Sequence, residues 1–137
     1  MCALVLPSLL STSLLLAQQS SARSGSDQPL KLIGALSLGP EIAGNFDHFG
    51  IDLKRNRLFA TPEDFKAVLV FDLSQVKVMH VISGIVRPHA LLYREDTDRL
   101  YITDGGDGSV KVYDGQTYQV VTRIPVLKDA DSIGYDM

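Results

Sequence analysis

The strongest constraint on this chain is an internal repeat. Compared with itself at an offset of 42 residues, the sequence matches without a gap. Arg57-Leu58 recurs as Arg99-Leu100, Thr61 as Thr103, Val68 as Val110, Val70 as Val112 and Asp72 as Asp114. Val78 recurs as Val120 and Ile82 as Ile124, while Phe59 and Phe71 become Tyr101 and Tyr113. At twice the offset, Asp47, Gly50 and Asp52 align with Asp131, Gly134 and Asp136. A segment that recurs at a fixed period is one supersecondary unit, which buries its apolar face by stacking on its neighbours.

Each unit holds four short runs of β-branched and aromatic residues separated by turn residues. The runs are expected at about 49–53, 57–61, 67–72 and 77–82, then at 90–94, 99–103, 109–113 and 119–124. Val68–Phe71 is apolar at every position, as a strand covered on both faces should be. Turn chemistry lies between the runs, in Lys54-Arg55-Asn56, Asp96-Thr97-Asp98 and Asp104-Gly105-Gly106-Asp107-Gly108. No stretch keeps apolar residues at i, i+3 and i+4, which excludes a helical repeat of similar length. Four antiparallel strands per unit at this period predict an all-β fold of β-propeller blades.

The expected organisation is a signal peptide at 1–22, a flexible linker at 23–29 and a partial propeller at 30–137. The propeller part divides into an outer strand at 30–38, blade units at 46–87 and 88–129, and the start of a third unit at 130–137. Every charged residue lies between Arg23 and Asp136, and the uncharged leader has an apolar core too short to span a bilayer. Cleavage is expected after Ala17 or Ala22. It would remove Cys2, the single cysteine, and leave a thiol-free chain suited to an oxidising compartment. A closed propeller needs at least four blades, or ~170 residues at this period. The 137 residues are therefore expected to be an N-terminal part with an incomplete ring. The alternative is a ring assembled from identical chains.

The net charge of −3 argues against nucleic acid or an anionic membrane as the main partner. There is no Gly-x-Ser-x-Gly, no Cys-x-x-Cys-His and no Gly-Lys-Ser/Thr, so no nucleophile elbow, covalent haem or phosphate loop is expected. No cofactor is assigned. The candidate ligand-binding residues are Asp47, His48, His89 and Asp131. Asp47, His89 and Asp131 occupy the same position in successive units, so in a ring they would lie at one distance from the axis and face one channel mouth. Carboxylates and imidazoles gathered there suit a metal or a polar ligand, with the metal itself unassigned. Capping of strand ends is the competing role for these residues. The 104–109 segment reads as a tight hairpin turn, although its oxygens and glycines also suit calcium. Asp52, Asp72, Asp114 and Asp136 read as turn caps, and Arg57 as a partner for Asp52.

The phrases FDHFGIDLKRNRLFAT, VLVFDL and RLYITDGGDGSVKVYD resemble the bacterial YVTN-repeat (YncE-like) β-propellers. Arg99-Leu100-Tyr101-Ile102-Thr103 stands where that family's tyrosine-valine-threonine-asparagine strand lies, with Asp104 in place of the final Asn. The resemblance covers about 30–136 and implies an exported, periplasmic or secreted protein built of about seven blades. The expected function is a non-catalytic binding or scaffold module, with a protein or small-molecule ligand at the propeller axis. The alternative is part of a propeller enzyme, lactonase-like or quinoprotein-like, with a site shared among blades.

Overall fold

Each β-branched or aromatic run forms a strand, and each cluster of turn residues forms the link to the next. The computed structural model describes residues 30–32, 34–42 and 44–136, so the expected leader and linker lie outside the described residues. The strands are β1 (Phe46–Asp52), β2 (Arg57–Pro62), β3 (Val68–Asp72), β4 (Lys77–Ile82), β5 (Pro88–Arg94), β6 (Arg99–Asp104), β7 (Ser109–Asp114) and β8 (Val120–Pro125). They pair into two antiparallel four-stranded sheets, in the orders β1-β2-β3-β4 and β5-β6-β7-β8. The helical content of the described residues is one 3₁₀ turn, Glu63–Phe65, directly after β2. Among these residues no helix is long and apolar enough to cross a membrane.

The two sheets have matching registers. Phe46 lies opposite Pro62 in the first sheet, and Pro88 opposite Asp104 in the second. Val68 lies opposite Ile82, and Val110 opposite Ile124. Left-handed residues match as well: Asn56, Lys66 and Val76 in the first sheet, Asp98, Gly108 and Tyr118 in the second. β1 and β5 both begin earlier than the sequence suggests. An irregularity between Phe46 and Phe49, and between Pro88 and Leu91, interrupts the alternation that marks a strand. Pro88 is tolerated because it is the first residue of its strand.

The core lies between the sheets. Phe59, Val68, Val70 and Ile82 of the first sheet meet Leu91, Leu100, Ile102 and Tyr113 of the second, with Ile85 between them. Phe59 and Tyr93 rings pack at 5.4 Å between centroids. At Gly50 the sheets approach so closely that a Cβ would lie 2.4 Å from Leu91 Cδ1. The facing surfaces are not equivalent. Phe59 and Val70 face the second sheet, but their counterparts Tyr101 and Val112 stand outside this core cluster. Leu100 and Tyr113 face the first sheet, while their counterparts Leu58 and Phe71 line a groove on it together with Gly34, Ala35 and Leu36. The front of one sheet therefore packs on the back of the next.

A buried arginine fastens the two sheets. Arg57 on β2 is 4% exposed. Its Nε and Nη2 donate to Asp52 Oδ2 at 3.0 and 2.6 Å. Its Nη1 crosses to the second sheet, donating to the Gly115 carbonyl at 2.7 Å and the Tyr118 hydroxyl at 2.5 Å. Burial pushes the Asp52 carboxyl up, but Arg57 and Arg55 outweigh burial and hold it below the usual carboxylate range. The Arg57–Asp52 pair expected from sequence is thus formed, and it is buried. At the matching position Arg99 Nη1 donates to Asp114 Oδ2 at 2.8 Å within its own sheet.

The outer strand expected at 30–38 is one that would complete a last blade, beside strands other than β1–β8. None of the described residues of that segment is in a strand. A strand needs a neighbour to accept its backbone bonds, and β4 remains the edge of the first sheet.

Arg57→Met leaves the Asp52 carboxylate buried with much of its compensation gone. The expected loss at pH 7 is about 3–5 kcal/mol by urea denaturation. In the parent chain the lowered Asp52 carboxyl contributes stability above the unfolded value of about 3.9, and this is lost as pH falls through the folded value. In the variant, Arg55 alone opposes burial, so that carboxyl sits higher than in the parent and its contribution to stability above pH 4 is smaller. The deficit should therefore narrow from pH 7 to pH 4; a constant deficit would refute this account.

Candidate functional site

The first residues of β1 and β5 lie side by side where the two sheets meet. Asp47 on β1 and His89 on β5 are held there by equivalent bonds to β2 and β6. The His48 N–H donates to Thr61 Oγ1 at 2.8 Å, and the Ala90 N–H to Thr103 Oγ1 at 2.9 Å. Each threonine hydroxyl returns a bond to the same residue's carbonyl, at 3.1 and 3.2 Å. Thr61 and Thr103 therefore pin the strand starts that carry the candidate residues.

His89 Nδ1 lies 2.9 Å from Asp47 Oδ2, 3.1 Å from Asp131 Oδ1 and 3.6 Å from Glu63 Oε1. The imidazole is buried, at 7% exposure. Gly105 makes room for it, since a Cβ there would lie 2.7 Å from His89 Cδ2 and 2.9 Å from Nε2. Asp47, Glu63 and His89 form a set whose donor atoms all lie within 4.8 Å of one another. One imidazole among three carboxylates is an acidic, nitrogen-containing pocket suited to a cation or a cationic group.

The structure thus brings together Asp47, His89 and Asp131. His48 sits beside the cluster, its side chain 43% exposed and its Nδ1 3.0 Å from Asp47 Oδ1. The angle there makes no hydrogen bond, so His48 Nδ1 is a covered atom without a partner. Glu63 is the member that sequence reasoning missed. The repeat directs attention to positions filled alike in every unit, and the counterpart of Glu63 is Gly105. The available signal was its place immediately after β2, beside the start of β1, where the Glu63 N–H donates to the Asn45 carbonyl at 3.3 Å.

The other polar positions are engaged in turns. Asp72 Oδ1 accepts from the N–H groups of Ser74 and Gln75, and Asp114 Oδ1 from those of Gln116 and Thr117. In the 104–109 turn, Asp104 is fully buried and accepts from the N–H groups of Val86 and Arg87 and from Lys111 Nζ at 2.5 Å. Burial pushes the Asp104 carboxyl up, but Lys111 and the two backbone donors outweigh it and hold it low. With an ammonium already on these oxygens, the turn is a structural hairpin.

No family model matches the chain, and no curated protein matches it. Among solved structures it is similar to hydrazine synthase from Kuenenia stuttgartiensis, with 27% identity over 53% of this chain and a TM-score of 0.50. The match spans 21% of that structure's chain. The described residues form an all-β protein of two antiparallel four-stranded sheets, with a carboxylate–imidazole cluster where they meet.

A double-mutant cycle on Asp47→Asn and His89→Gln measures the link between the sheets at this point. A charge-assisted bond of this burial predicts a coupling of about 1.5–3 kcal/mol in urea denaturation. Additive effects of the two substitutions would contradict the observed geometry.

Proposed function

We propose that this chain is an exported β-propeller repeat protein of the bacterial YVTN-repeat (YncE-like) kind. It acts as a non-catalytic binding or scaffold module, with its ligand taken at the Asp47–His89–Asp131 cluster. The observation that carries this reading is that side chains from matching positions in successive units converge on His89 Nδ1. Ring closure about an axis gives each such position the same distance from that axis, which makes convergence the natural outcome. The front-to-back packing of the sheets supports the same reading, because a heterologous contact repeated with a constant rotation generates a ring where that rotation closes. The 42-residue unit is then one blade, and further blades complete the channel mouth.

A second reading is favoured by the same acids and imidazole, which are also the groups of general acid–base chemistry. On that reading the chain is part of a lactonase-like or quinoprotein-like enzyme.

Export is tested by fractionating cells that produce the chain and sequencing the N-terminus of the recovered protein. Recovery from the periplasm or medium, beginning at Gln18 or Arg23, is the expected result. Full retention in the cytoplasm with Met1 or Cys2 at the N-terminus would overturn export. Turnover of lactone or quinoprotein substrates that disappears in both Asp47→Asn and His89→Gln would select the enzyme reading over the binding module.

A further inference from the structure

We propose that Asp47, Glu63 and His89, with Asp131 beside His89 at the rim, form a binding site for one first-row divalent transition-metal ion, of the Zn2+ or Mn2+ class. This deepens the axial binding site proposed above and rests on that reading. Three acceptor groups point at a single imidazole nitrogen. His89 Nδ1 is 2.9 Å from Asp47 Oδ2, 3.1 Å from Asp131 Oδ1 and 3.6 Å from Glu63 Oε1. Nδ1 carries at most one hydrogen, so it satisfies one of them. The remaining oxygens are acceptors only and repel one another across a pocket whose histidine is more than nine-tenths buried.

The spacing suits a shared cation. Donors about 2.1 Å from one ion lie about 3.0 Å apart at an octahedral right angle and about 3.4 Å apart at a tetrahedral angle. The distances from His89 Nδ1 bracket those values. An ion at the centre would replace the single hydrogen and offset the carboxylate charges together.

Two further observations point the same way. The buried imidazole aims Nδ1 into the cluster, and Gly105 gives the opposite side of its ring the room it occupies. His48 Nδ1 is also covered and unpartnered, 3.0 Å from the other oxygen of Asp47. An imidazole donor favours zinc and its neighbours in the first row, whereas calcium takes six to eight oxygens.

The test is isothermal titration of the purified, EDTA-treated chain with ZnCl2, MnCl2 and CaCl2 in separate runs. One equivalent of Zn2+ or Mn2+ should bind, more tightly than Ca2+. Glu63→Gln, whose side chain is 32% exposed, should weaken binding at least tenfold, as should Asp47→Asn. His80→Gln, on β4 and stacked on Tyr118, should leave binding unchanged. Absence of stoichiometric binding, tighter binding of Ca2+, or loss in His80→Gln instead of Glu63→Gln would each overturn the assignment. The metal-free double-mutant cycle separates the two proposals. Intact Asp47–His89 coupling without ion binding refutes the metal site alone, whereas loss of the coupling removes the geometry on which both proposals rest.

Discussion

The guanidinium of Arg57 is the contact on which the relation between the two sheets depends. Apolar packing draws sheets together but is non-directional, and one pleated surface can slide on another at modest cost. A buried cation allows no such slide. Arg57 is neutralised by Asp52 from its own sheet and completes its donors on Gly115 and Tyr118 of the next. The Phe59 and Tyr118 rings flank it at 5.4 and 5.5 Å. A shift of about 2 Å would leave its charge or its donors unmet, at several kcal/mol. Arg55 reinforces the same alignment from the rim, with Nη2 on Asp98 Oδ2 at 2.7 Å.

That alignment makes the polar cluster possible. Asp47 and His89 belong to different sheets and touch because the sheets are fixed in one relative position. The threonine clamps set each strand start within its sheet, and Arg57 sets the sheets against each other. Glu63 then breaks the repeat symmetry. Where the first unit carries a carboxylate after β2, the second carries Gly105, which the His89 ring needs for space. A single repeat position thus carries a carboxylate beside His89 in one unit and gives its ring clearance in the other.

Much of the strand pattern was legible in the sequence, because alternation and turn chemistry act over a few residues. β4 lies where the apolar run placed it, and β2 and β6 extend one residue beyond. The starts of β1 and β5 were hidden by irregularities that break the alternation without breaking the pairing. The 30–38 segment is unpaired here for a different reason: a strand exists only beside a partner, and strand propensity carries no information about partners. The meeting of Asp47, His89 and Asp131 was legible from the repeat alone, since it follows from equivalent placement. Glu63 was not, because it appears once. The burial of the Arg57–Asp52 pair was also invisible, since the residues that cover it come from Gly115 and Tyr118, some sixty positions away.

The front-to-back packing of the sheets has a consequence for how such a chain can change. When two identical faces meet, a copied segment has no place to attach without blocking the original contact. Here each unit carries one face that receives and another that is received. A tandem duplication of one unit therefore brings its own complementary surface, and the chain can lengthen without evolving a new interface. The same asymmetry lets each copy drift separately at positions such as 63 and 105, so that chemical differences accumulate on a scaffold whose joints stay the same.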